Sequence, residues 1–175
     1  MDFVKTVMAA ALFAAMPAWA GEMTGPQANA VRSANEYLAG QSFSKKGLIR
    51  QLSSSYGEGY ELADATVAVN SLRVDWYRQA VLSAKDYLAG QSFSRTGLIR
   101  QLSSSNGSDF EQADATAAVD SLNVDWNEQA ARSAQDYLKS QGFSCKGMIR
   151  QLSSSAGEGF TQSQAEYGAK QAGAC

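Results

Sequence analysis

The side chains with catalytic potential in this chain are carboxylates, serines and two cysteines; histidine is absent. Without an imidazole there is no Ser-His-Asp or Cys-His machinery and no histidine-ligated metal. Two cysteines are too few for a zinc knuckle or an iron–sulfur cluster. The serine triplets at 53–55, 103–105 and 153–155 have no neighbouring base to activate a hydroxyl, and they read as helix ends. Glu58 and Glu158 stand in glycine-flanked loops, where a pair of acids could cleave a glycosidic bond. Position 108 is serine in the corresponding loop, however, and nothing marks two carboxylates as neighbours in one cleft. No catalytic, cofactor or metal site is expected, and the chain reads as a binding or structural protein rather than an enzyme.

The elements that would position any binding residues are set by an internal repeat. Phe43–Ser55 returns as Phe93–Ser105 and Phe143–Ser155, at an offset of 50 residues each time and without insertion. Tyr37-Leu38 returns at 87–88 and 137–138, and Gly57 at 107 and 157; Val74-Asp75-Trp76 returns once, at 124–126. The fold class expected is all-α: three tandem three-helix units, helix-turn-helix in outline, over 24–74, 75–124 and 125–175. Asp75 and Asp125 cap the first helix of their units, with Glu128 at capping-box spacing from Asp125. In the first unit Gly25-Pro26 replaces Asp-Trp, which keeps the helix start and loses the aromatic residue.

Ser44, Ser94 and Ser144 cap the second helix, behind a Phe43–Leu48 staple. Its inward face is Leu48, Ile49 and Leu52, and its outward face residue 46 and Arg50. Gly47 is expected to let a neighbouring helix approach, and Gly57 to turn the chain. The third helix carries Ala65, Ala68, Val69 and Leu72 at helical spacing. The joint Leu72–Asp75 is too short for independent units. Trp76 and Trp126, just past the joints, either seal one unit against the next or serve only their own unit's core.

The first twenty residues have a charged start, an apolar run of about ten residues and a small-x-small end at Ala18-Trp19-Ala20. That pattern is a signal peptide cleaved between Ala20 and Gly21, the run being too short to span a bilayer. No cysteine lies near the cleavage site for lipid attachment. The mature protein expected is 21–175, exported to the periplasm or cell exterior with no stable membrane anchor.

Cys145 stands where the earlier copies have Lys45 and Arg95, and Cys175 is the last residue. The third unit also exchanges Ala68, Val69 and Leu72 for Gly168, Ala169 and Ala172, losing apolar volume or helix propensity. A helical hairpin returns the end of the third helix to the start of the second. An exported chain is oxidised, so a Cys145–Cys175 disulfide is expected; two free thiols or a link between chains are the alternatives.

A helix-turn-helix outline also invites DNA binding. The net charge is −2, and the units 33–82, 83–132 and 133–175 carry five basic and five acidic, four and seven, and four and three residues. The third helix, where a recognition helix would lie, brings Glu61 and Asp64, or Glu111 and Asp114, rather than arginine. Export and charge argue against a nucleic-acid partner.

The repeat resembles the Ltp-type superinfection-exclusion, or host cell surface-exposed, lipoproteins. The residues that carry the likeness include Tyr87-Leu88, Phe93-Ser94-x-x-Gly97-Leu98, Gln101-Leu102-Ser103, Gly107-x-x-Phe110, Ala118-Val119-x-x-Leu122 and Val124-Asp125-Trp126. The likeness covers 24–175, with three units and no lipobox cysteine. It implies small helical bundles outside the cytoplasmic membrane. It also implies a protein partner, an injected virion protein such as the phage tape measure, whose binding blocks DNA injection. The alternatives are a general envelope adaptor without a phage role and, against the charge argument, a DNA-binding protein.

Candidate partner-binding residues are Arg50, Gln51, Arg100, Gln101, Arg150 and Gln151 on the outward side of the repeated second helix. Three copies of one polar face would engage a repetitive or helical partner by multivalency. Alternatively each arginine pairs with an acid of its own unit, such as Asp64, and its recurrence reflects duplication.

Overall fold

The computed structural model describes residues 22–175; the leader expected at 1–20 and its expected cleavage site between Ala20 and Gly21 lie outside the described residues. Among the described residues there are nine helices and no strand. In the first repeat α1 (Gly25–Gly40), α2 (Lys45–Ser53) and α3 (Leu62–Ser71) fold together. The second repeat holds α4 (Trp76–Gly90), α5 (Arg95–Ser103) and α6 (Gln112–Asp120). The third holds α7 (Trp126–Ser140), α8 (Cys145–Ser153) and α9 (Gln162–Gln171). No described helix is long and apolar enough to cross a membrane.

Local chemistry accounts for the helix starts. The Ser44, Ser94 and Ser144 hydroxyls each accept the N–H of the glycine three residues on, and Asp75 accepts from Arg78 N–H. Asp125 accepts from Asn127 and Glu128 N–H groups, while reciprocal capping boxes form at Thr24/Gln27 and Thr161/Gln164. Those two boxes are additions to the sequence reading.

Each repeat has its own apolar cluster. Leu48 and Leu52, Leu98 and Leu102, and Met148 and Leu152 are fully buried against a pair of alanines from the first helix and two or three small residues from the third. The alanines (Ala30 and Ala34, Ala80 and Ala84, Ala130 and Ala134) let the long and third helices approach closely. The tyrosine–phenylalanine pairs Tyr37–Phe43, Tyr87–Phe93 and Tyr137–Phe143 meet edge to face at 5.6–5.8 Å, closing each cluster at its rim.

The tryptophans act between repeats. Trp76, the first residue of α4, packs on the cluster of the first repeat, and Trp126 on that of the second. In the third repeat Ala172 and Ala174 pack on the cluster instead, and the tail is held by a Cys145–Cys175 disulfide with Cα atoms 4.6 Å apart. Gly173, at φ 81°, turns the chain back so that Ala174 N–H reaches the Ala169 carbonyl. In the second repeat the same two helix ends are joined by a bidentate ion pair. Arg95 meets Asp120 at 2.6 and 2.7 Å, and that contact holds the Asp120 carboxyl below its ordinary range.

Two glycine expectations are corrected in their mechanism. Gly57 does not supply a left-handed turn; a Cβ there would overlap the carbonyl of Gln51, and the left-handed residues are Gly59, Asp109 and Gly159 two positions on. Gly47 and Gly97 admit the loop of the following repeat, not a helix: added Cβ atoms would lie 3.4 Å from Ser108 O and 3.2 Å from Glu158 O. The volume lost at Gly168 is recovered by contact, because α9 lies so close to α7 that a Cβ would strike the Ala130 backbone.

Closing 30 residues of chain stabilises the folded state by about 3–4 kcal/mol in the loop-entropy account. The double variant Cys145→Ala/Cys175→Ala is therefore expected to lose roughly 3 kcal/mol in urea unfolding followed by far-UV circular dichroism. An unchanged midpoint would show that the tail is held without the bond.

Candidate functional site

The second helices α2, α5 and α8 bring the candidate residues Arg50/Gln51, Arg100/Gln101 and Arg150/Gln151 to equivalent places, but the two residue types do different work. The glutamines are tied inside their own repeats. Gln51 Nε2 donates to the Tyr37 hydroxyl at 3.1 Å, and that hydroxyl donates to Glu58 Oε1 at 2.9 Å. The third repeat reproduces the chain at 3.0 and 2.6 Å through Gln151, Tyr137 and Glu158. In the second, Gln101 donates to Tyr87 at 3.2 Å and Ser108 Oγ takes the carboxylate's place at 3.0 Å. Each relay fastens the loop after the second helix to the long helix.

The arginines reach forward into the next repeat. Arg50 Nη1 pairs with Asp109 Oδ2 at 2.9 Å, 59 residues away. Asp64, the acid considered within its own repeat, accepts instead from Gln27 Nε2 at 3.1 Å. Arg100 donates to the backbone carbonyls of Ser155 and Gly157, at 3.1 and 3.4 Å. Arg150 is exposed, and among the described residues it makes no ion pair.

Around these arginines lies a repeated interface that sequence reasoning did not pick out. Ser44 Oγ, already capping α2, donates to Ser108 O at 2.5 Å, and Ser94 Oγ donates to Glu158 O at 2.5 Å. Phe43 N–H and Phe93 N–H donate to the side-chain carbonyls of Gln79 and Gln129, at 3.2 and 3.3 Å. Lys46 Nζ meets Glu111 at 2.8 Å, which raises the lysine's pKa. The recurrence of Gln79 at 129 was the visible signal; its partner, 36 residues back, was not.

Two clefts open beside this interface. One of about 400 Å³ runs between α2 and the second repeat's loop, lined by Ser44, Gly47, Arg50, Gln51 and Ser108 among others. The other, about 320 Å³, lies where Ser92 and Phe93 meet Ser133, Tyr137 and Glu158. Both are open and combine hydroxyl, amide and charged groups with an aromatic ring, Phe43 in the first and Phe93 in the second, a surface suited to a polypeptide's backbone and side chains.

The model of the family described as host cell surface-exposed lipoprotein matches this chain three times, over residues 26–72, 75–122 and 125–171. The chain belongs to that family. Its three Ltp repeats are the three helical units described above. No curated protein matches the chain. Among solved structures, it is similar to Ltp, a superinfection exclusion protein from the Streptococcus thermophilus temperate phage TP-J34. The two are 29% identical with a TM-score of 0.50, over 57% of this chain and 97% of that one. A 57% share of this chain corresponds to the length of about two Ltp repeats.

Burial and the hydrogen bond to Glu158 both favour the protonated Tyr137 phenol and raise its pKa. Because the folded value is the higher one, the associated stability is intact below the unfolded phenol value near 10 and is lost as pH rises through the folded value. In a ¹³C-tyrosine NMR titration the resonance absent from Tyr137→Phe should titrate above pH 10. Titration of that resonance at or below the usual value would contradict the relay.

Proposed function

We propose that this protein is exported and excludes superinfecting phage by binding a virion protein injected ahead of the genome, the tape measure protein, so that DNA entry stalls. The observation that carries the reading is the Ltp repeat found three times. It is reinforced by the sequence and structural likeness to a superinfection exclusion protein, over a length equal to two repeats. The leader expected at 1–20 supplies the route to the envelope, where an injected protein would be met.

The physical character of the surface supports a protein partner. Net charge is −2 and no strongly basic unit is present, which disfavours a nucleic-acid backbone. The stripe of Arg50, Arg100 and Arg150 is the face on which we place the contact. Arg50 remains 52% exposed although paired, and it binds a loop already, so the stripe can exchange one carbonyl or carboxylate acceptor for another. Three such positions on one chain would make a repetitive helical partner the preferred one by multivalency.

The test separates the stages of infection. Cells with verified expression should adsorb related phages normally and fail to admit their DNA. Replacing all three arginines by alanine should weaken capture of the virion protein while helical content is unchanged. Normal DNA entry across the related phages would reject the exclusion role and leave an envelope adaptor.

A further inference from the structure

Within the chain, the second-helix face of one repeat receives the loop of the next, and burial records the docking. Ser44 and Ser94 are 1% exposed, and Phe110 and Phe160 in the received loops are 3% exposed. On α8 the same face presents Ser144, Gly147 and Arg150, yet Ser144 is exposed and no described loop docks on it. The loop of the first repeat is the counterpart. Glu58 and Gly59 are exposed where positions 108, 109, 158 and 159 are half-buried, and Tyr60 is half-buried where Phe110 and Phe160 are buried. We infer that these two faces are the halves of one intermolecular contact, and that the partner is a second copy of this chain joined head to tail.

The side chains at the two faces fit one another. The contact between the first and second repeats includes Lys46 with Glu111. Between the second and third repeats the same positions are Thr96 and Thr161, and no charge is present. At the two unused faces they are Lys146 and Glu61, both exposed, and the lysine–glutamate match returns. Arg150 would meet a loop with Gly59 at the position of Gly159, and Arg100 meets that kind of loop through the carbonyls of Ser155 and Gly157. The equivalent carbonyls belong to Ser55 and Gly57. Asn29 keeps a side-chain amide where Gln79 and Gln129 receive the phenylalanine N–H, one methylene shorter.

Among the described residues each copy leaves one face of each kind open, so the contact is heterologous and propagates into a chain of molecules rather than closing as a symmetric pair. It is weaker than the joints inside the molecule. Gly25-Pro26 stands where Trp76 and Trp126 supply the apolar seal, and the tail at Ala174 already covers the rim of the third cluster. Assembly therefore depends on concentration.

Sedimentation velocity of the leader-free, oxidised chain over a wide concentration range tests this, with Lys146→Glu and Glu61→Lys as separate variants. The wild type should show a weight-average mass that keeps rising beyond a dimer. Each variant puts like charges at the contact and should shift the midpoint to at least about fivefold higher concentration. An equimolar mixture of the two restores opposite charges wherever the variants alternate and should return the midpoint to within about twofold of the wild type, since each end then finds a partner in half of the molecules. A chain that stays monomeric throughout would overturn the inference. So would growth that saturates at two copies, or association indifferent to both reversals. Both substitutions are at exposed positions outside the arginine stripe, so loss of assembly with phage exclusion retained separates this contact from the proposed function.

Discussion

A buried serine hydroxyl at the start of the second helix holds one repeat to the next. Ser44 and Ser94 each accept the glycine N–H that begins their helix and donate to a loop carbonyl 64 residues further on. A hydroxyl can do both at once, having one proton to give and lone pairs to receive. At 1% exposure it has no water to fall back on, so losing either partner would strand a polar group. No buried side-chain nitrogen or oxygen among the described residues lacks a partner. The glycines at 47 and 97, the arginines at 50 and 100 and the glutamines at 79 and 129 are all placed by that junction.

The repeat was legible because it is local and periodic. Offsets of 50, serine caps and the Leu48–Leu52 spacing are statements about neighbours within one turn or one unit, and the helices follow them. The disulfide was legible because both cysteines occur only in the third repeat, whose last helix is weakened, and a helical hairpin returns that helix to the start of the second. What could not be read was chemistry between units. Arg50 has acids on both sides in sequence, and nothing local says that Asp109 is chosen over Asp64. Gly57 looked like a turn residue because glycine at a helix end usually is one. Its cause is steric: the chain returns over the Gln51 carbonyl with no room for a side chain. The two readings of the tryptophans differed only in which cluster the ring touches, and that is decided by the direction of a four-residue joint.

Junction and ends together give the molecule its asymmetry. The first two repeats are each sealed by a tryptophan from the next unit, whereas the last cluster is closed by its own disulfide-held tail. Such end units are what a tandem array of small marginal cores requires. The polar second-helix face of the last repeat, with Ser144, Gly147 and Arg150, is left uncovered by that closure among the described residues. The first two Ltp repeats of this chain thus each hold a polypeptide loop of the following repeat through their second helix.

The three repeats are held together through these junctions. Single-tryptophan variants of residues 21–175, Trp76→Phe and Trp126→Phe, each leave one indole at one joint. Their fluorescence can be followed in urea beside the loss of helical circular dichroism. Each joint's transition should coincide with the loss of helix, because the indole at the joint is packed on the apolar cluster of the preceding repeat. A fluorescence transition completed at clearly lower urea, with helix content still native, would contradict it.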